Sequence, residues 1–274
     1  MREITGNLEY KNILLNMLLY FCSLCKKHGI RYFLYYGSLI GAVRHNGFIP
    51  WDDDIDIAIP RKDFLKLLDV MEKEEGQYTI LSIYNIEEFN APLAKIIDKN
   101  TLLVQEYGYI EKVQLGVYLD LFILDGLPQD NPEKYLETAF DYKRKWTAAD
   151  HVFRYKDSTI VKDILRYIKY LPSHILGYKY YNKLLDDYSM KFEFDKSNYV
   201  SNLTYLVYGN ELLHREDFEQ RYVSFEGVEC SIPVGYERIL TTIYGEWRIL
   251  PPLEKRVNRH SFKCYIVKEE KLRS

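Results

Sequence analysis

Apolar residues recur at helical spacing from residue 7 to 28, where Leu8, Leu15, Leu18, Leu19 and Cys22 share a broad face, and this predicts a helix. Lys26 and Lys27 suit the negative end of its dipole and Gly29 ends it. A face this broad reads as core packing, with an interfacial membrane helix as the other reading. The aromatic run from Arg31 to Tyr36 predicts a buried strand. Gly37 then allows close backbone approach, and Ser38 is placed to cap a short helix through His45. Strand, turn and helix N-terminus together predict a phosphate cradle. After an Asn-Gly turn, strict alternation from Asp54 to Ile59 predicts a strand with Asp54 and Asp56 on one face and Ile55 and Ile57 on the other. Pro60 ends it, and residues 61–75 form an amphipathic helix.

Short strands follow at 78–84, 93–97 and 101–105, then an apolar run from Val117 to Leu124 broken by Asp120. A charge inside a central strand is costly unless paired or metal-bound. Asp125, with Gly126 after it, reads as a turn residue. Asn131-Pro132 opens a helix over 131–150, and two more span 154–183, broken at Leu171-Pro172. The last third carries short strands, a hairpin turning at Glu226-Gly227, and a helix over 236–244.

With 274 residues, 47% of them hydrophobic, the chain can bury a substantial core. A net charge of -3 gives no global pull towards nucleic acid, so no nucleic-acid partner is expected and any basic surface is local. Residues 154–183 are such a place, with seven Lys or Arg against two Asp, and six Tyr. They read either as a surface for anionic lipid or phosphorylated polymer, or as a solvated basic face. Cys22 and Cys25 form a CxxC, but no partner pair stands at zinc-like spacing, so small buried thiols are expected. No signal-like segment opens the chain and no apolar run approaches ~18 residues, which predicts a cytoplasmic, non-spanning protein.

The candidate chemistry lies in residues 35–60. Asp52, Asp53, Asp54 and Asp56 crowd together about fifteen residues after Gly37-Ser38, a density that calls for a divalent cation. Carboxylates two apart on one strand face suit metal-assisted phosphoryl displacement, with Asp120 from a neighbouring strand as a further ligand. A glycosyltransferase of the GT-A type also uses a DxD, but places it far later in the chain. An EF-hand is disfavoured because Ile57 stands where that loop needs Gly. An inactivated, non-enzymatic relative would have lost a carboxylate, and all are present.

The block YYGSLIGAVRHNGFIPWDDDIDIAIPRKDF resembles the signature of the LicD family, bacterial phosphocholine transferases of the nucleotidyltransferase superfamily, with fukutin and its related protein as distant members. The likeness continues through LAKIIDKNT, GVYLDLFILDGLP and a closing FEG…IP…YGEW…PP…H. The resemblance implies an α/β (α+β) nucleotidyltransferase-fold core with a mixed sheet flanked by helices: residues 1–130 as catalytic core, 131–195 as a helical insertion and 196–274 completing the site. It implies transfer of phosphocholine from CDP-choline, or of another CDP-alcohol's phosphate, to a sugar hydroxyl of a cell-surface glycan or its lipid-linked precursor, with peripheral contact at the inner membrane face. Asp52, Asp54, Asp56 and Asp120 are the expected ligands for Mg²⁺ or Mn²⁺, with Asp120 also taking the proton of the attacking hydroxyl. Gly37 and Ser38 are expected to hold the donor phosphate, Arg44 and Lys95 to offset developing charge, and His260 to meet substrate phosphate or serve in acid–base work. Trp51 has two readings, a platform for cytosine or the lid of the turn. Asp53 is expected to point away from the site.

Overall fold

The computed structural model describes residues 1–105, 112–150, 159–207, 209, 211–257 and 262–267. Among these are the strands β1 (Arg2–Ile4), β2 (Phe33–Leu34), β3 (Asp56–Pro60), β4 (Tyr78–Leu81), β5 (Ala94–Asp98), β6 (Thr101–Gln105), β7 (Tyr118–Gly126), β8 (Tyr199–Ser201), β9 (Leu213–His214), β10 (Gln220–Phe225), β11 (Val228–Pro233) and β12 (Phe262–Ile266). The helices are α1 (Asn7–His28), α2 (Tyr36–His45), α3 (Arg61–Lys73), α4 (Pro132–Asp150), α5 (Ile160–Lys169), α6 (Leu171–Ser189) and α7 (Tyr236–Tyr244).

The main sheet runs β2-β3-β7-β5-β4, and it is mixed, because β3 and β7 are parallel while the other pairings are antiparallel. β8 and β9 continue it from the far end of β7. A second sheet, β1-β12-β6, joins the two ends of the chain, and β10-β11 is a hairpin. Its turn residues, Glu226 (φ 49°) and Gly227 (φ 83°), are both left-handed, as a two-residue hairpin turn requires. The Glu226 carboxylate accepts from the Phe48 amide at 3.1 Å, which ties the hairpin to the turn after α2. The chain is therefore a mixed α/β protein, as expected from the sequence.

α1 packs Leu14, Met17, Leu18 and Phe21 fully out of water, each worth about 1.5–3 kcal/mol of burial. It ends where Gly29 takes a left-handed conformation whose amide reaches back to the last turn. The expected strand over 31–36 is shorter: the backbone turns at Tyr36 (φ 39°) and enters α2 there. β4 stops at Leu81 because the Asn85 side chain captures the Ser82 amide and hydroxyl in a turn. The break before α6 falls at Tyr170, and Pro172 sits in the helix's first turn, where its missing N–H costs nothing. Residues 154–158 of the expected helix lie outside the described residues.

Asp125 corrects the sequence reading most sharply. It is no turn residue but a buried member of β7, gripped by Arg61 through Nε–Oδ1 at 2.5 Å and Nη2–Oδ2 at 2.7 Å. The same guanidinium reaches Asp186 of α6 at 2.6 Å and meets the Tyr84 hydroxyl, which also donates to Asp186. Arg61 thus fastens α6 to the sheet. Leu127, Leu136, Ala139, Leu203 and Leu206 make a separate apolar cluster beneath α4, while Trp146, Tyr181 and Leu185 make one between α4 and α6.

Burial pushes the Asp125 carboxyl up to about 6 in spite of Arg61. Removing the guanidinium in Arg61→Met leaves two buried acids uncompensated, and stability at neutral pH falls by about 3–5 kcal/mol. A carboxyl whose folded pKa lies above its unfolded value regains stability as pH falls, so the loss narrows from pH 7 to about pH 5; urea denaturation across that range checks both size and sign.

Candidate active site

The site forms where α2, β3, β7 and β5 meet. The Asp56 amide donates to Ser38 Oγ at 2.9 Å and its carbonyl accepts from the Tyr35 amide at 2.9 Å, which stitches the start of β3 to the entry of α2. Ser38 does not cap α2 as expected, because its hydroxyl is turned to β3. Gly37 and Ser38 belong to the first turn of the helix itself. The left-handed Tyr36 is held by Glu211, a fully buried carboxylate that accepts from its hydroxyl at 2.6 Å and from the Val207 amide at 2.9 Å. Its ring also stands edge-on to Phe122 of β7, 4.9 Å away. Such backbone strain persists only where the surroundings over-determine it.

A side chain on Gly37 would have to displace Asp52. A Cβ there would sit 2.7 Å from Asp52 Oδ2 and in ordinary contact with Asp56 Oδ2 at 3.9 Å, so glycine lets the Asp52 carboxylate close on the helix start. On the sheet, Asp56 is the direct register partner of Asp120 on β7, and Asp120 is in turn opposite Lys95 on β5. The Asp56 carboxyl is pushed well above the usual carboxylate range, first by burial and then by Asp54, Asp120 and Asp52, while the Gly37 amide works the other way. Lys95 Nζ lies 2.6 Å from Asp120 Oδ1 and 3.7 Å over the Tyr118 ring. Four of the predicted acids thus converge, with one buried lysine among them. Among the described residues, no three His, Cys, Asp or Glu side chains stand, as they lie, where they could hold a metal ion.

The alternation argument needs one adjustment. β3 begins at Asp56, so Asp54 lies on the approach to the strand and is half-buried. Asp53, expected to point away either as a charge behind the site or towards solvent, is buried, within electrostatic reach of Tyr10 and Lys11 of α1, which excludes the solvent-facing reading alone. Lys11 faces Asp52 and Asp53 and stands 4.7 Å over Phe48. The sequence reading missed Lys11 and Glu211 because Lys11 lies far along the chain from Asp52 and Asp53, and Glu211 from Tyr36. A lysine in the first turns of a helix otherwise assigned to the core was the available signal.

The other predicted residues gather elsewhere. Arg44 donates to the Trp247 carbonyl at 2.7 Å and to His45 Nε2 at 3.0 Å, and burial with the nearby Arg256 charge holds its pKa below the ordinary arginine range. Arg256 also lies 5.4 Å over the half-buried Trp51 ring. Arg44, Trp51, Trp247 and Arg256 therefore form one patch, which joins the signature block to the closing YGEW and PP segments. His260 lies outside the described residues. Cys22 and Cys25 are buried thiols, as expected.

A family model described as LicD/FKTN/FKRP, nucleotidyltransferase domain, matches residues 29–122, the span from the end of α1 into β7. The lipopolysaccharide cholinephosphotransferase LicD of Haemophilus influenzae is 31% identical over 94% of this chain and 97% of its own length. The chain belongs to the LicD family. The likeness of this LicD-family protein to the ribitol 5-phosphate transferase FKRP of mouse and of human is 54% over 35 residues, 13% of this chain and 7% of theirs. Among the described residues, no helix of the LicD-family chain is long and apolar enough to cross a membrane.

The glycine is open to a direct test. Gly37→Ala lowers stability by about 1–3 kcal/mol through overlap with Asp52, and adding Asp52→Ala recovers most of that loss. Denaturation of the two single variants and the double variant measures the coupling.

Proposed function

We propose that this chain transfers phosphocholine from CDP-choline to a sugar hydroxyl of lipopolysaccharide or a related cell-surface glycan, releasing CMP. The observation that carries this is the end-to-end likeness to a lipopolysaccharide cholinephosphotransferase, together with the meeting of Asp56 and Asp120 across parallel strands. The shorter likeness to ribitol 5-phosphate transferases supports a second reading, the same chemistry with ribitol phosphate or another phosphoalcohol.

The acids are hard oxygen donors, and their mutual repulsion around a Gly37 cradle with no room for Cβ fits a divalent cation. Asp52, Asp54, Asp56 and Asp120 would hold Mg²⁺ or Mn²⁺. Once bound, such an ion draws charge from the donor's phosphates. Asp120, kept in place by Lys95, takes the proton from the attacking sugar hydroxyl, so the oxygen becomes nucleophilic as it approaches phosphorus. Lys95 then offsets negative charge gathering beside it. The amides at the start of α2 face the donor phosphate, and Asp56 and Tyr35 keep that turn rigid. Arg44 and Arg256, two cations close enough to repel, suit the nucleotide end of the donor, with Trp51 beside them. The helical unit over 131–195 would face the acceptor from the cytoplasmic side of the membrane, which makes the three-part division of the chain a functional one.

Asp54→Asn and Asp56→Asn each lower kcat roughly a hundredfold or more. Asp56→Asn also keeps or raises Tm, because it removes a buried charge from among like charges. EDTA silences the wild type and Mg²⁺ restores it. CMP release from CDP-choline with lipopolysaccharide acceptor is the assay, and full activity in either variant ends this reading. Running CDP-ribitol and CDP-glycerol beside CDP-choline in a thermal-shift screen separates the two donors.

A further inference from the structure

α5 is built inside out. Among its described side chains the one that is buried is Asp163, at 1% exposure, while Ile160, Val161, Ile164, Leu165 and Ile168 are 44–62% exposed. These five recur at i, i+1, i+4, i+5 and i+8, a single apolar stripe on a regular helix, and the stripe faces water. It does not stop with α5, because Leu171, Ile175 and Leu176 of α6 are 43–75% exposed as well, while Ser173 is buried. Tyr167 and His174 stack at 4.3 Å and brace the two helices against each other. A contiguous aliphatic face of this kind marks a contact surface.

Charge selects what covers it. Lys162, Arg166 and Lys169 run along one border of the stripe, and the only acid on α5, Asp163, is turned inward onto Arg166 at 3.1 Å. Behind the border, a cleft of about 510 Å³ between α4 and α5 is lined by Arg144, Arg166 and Lys169 with Tyr170, and no acid lines it among the described residues. A second copy docking face to face would bring these like charges together, since such an interface sets the same patch on both partners. An anionic bilayer surface meets both features at once: aliphatic chains enter the acyl boundary and the cations lie among headgroup phosphates. The net charge of the whole chain, -3, does not oppose this, because screening confines the attraction to within about 10 Å.

We infer that α5 and the first turns of α6 form a docking surface for membranes containing anionic phospholipid. The inference rests on the reading above only in that a lipid-bearing acceptor gives the contact a use; vesicle binding is measured without turnover. The test is co-sedimentation of the full chain with vesicles of phosphatidylcholine alone and of phosphatidylcholine with phosphatidylglycerol. Wild type binds the mixed vesicles and releases them at high salt. The triple variant Ile164→Ser, Leu165→Ser, Ile168→Ser binds about tenfold more weakly or worse, and Lys162→Glu with Lys169→Glu likewise. Because the replaced side chains are exposed, Tm holds in both variants. Unaltered vesicle binding in either variant overturns the inference. So does equal binding to vesicles without anionic lipid, or self-association of the wild type that the serine variant abolishes while vesicles are ignored. Loss of transfer with vesicle binding intact would count against the catalytic reading alone.

Discussion

Two carboxylates stand opposite each other on adjacent parallel strands, Asp56 on β3 and Asp120 on β7, at a buried place in the main sheet. Like charges in that setting repel strongly, and the surrounding structure is arranged to tolerate them. Lys95 enters from the other neighbouring strand to meet Asp120, and the Gly37 amide meets Asp56. Ser38 anchors the β3 amide, so the helix that carries these donors cannot drift from the strand that carries the acids. The strained Tyr36 follows from the same demand, since α2 must begin close to β3, and Glu211 holds the ring that makes the turn possible. The repulsion that remains supports the proposal of a cation and a phosphorylated substrate at this place.

β7 carries an acid towards each end, and their partners separate their roles. Asp125 is closed off by a bidentate arginine, which uses both oxygens and leaves nothing for a ligand. Asp120 meets a single lysine through one oxygen in the described contacts, beside three further acids. The first arrangement is a fastening, and the second fits the reactive role proposed for Asp120. Through Asp186, the fastening also holds the second half of α6, which a non-helical Gly177 (φ 77°) separates from its first turns and from α5.

Periodicity alone was enough to find α1, α2, α3, α4 and α7 to within a residue or two, because amphipathic spacing and glycine or proline stops are local properties. The acids of the signature block, Gly37 and Asp120 were likewise legible, since buried charge in an apolar run is conspicuous. β1, β9 and β12 left little local trace. They are short and gain their stability from partners far along the chain, as when β12 pairs with both β1 and β6.

Composition and spacing thus singled out the acids of the signature block as candidates and showed that the chain folds as a mixed α/β protein, because these follow from patterns a few residues long. Partnership was settled by the fold. Asp125 reads locally as a turn and is a buried anchor; Asp53 reads as pointing away from the site and is buried towards Lys11; Arg44 reads as a cation for developing charge and donates to the Trp247 carbonyl. α5 reads as either a basic solvated helix or a lipid-facing one, and the burial of Asp163 turns its aliphatic stripe outward. For Asp125 and Asp53 the free energy that decides comes from desolvation and from a charge supplied by another segment, and neither quantity exists until the chain has closed around it.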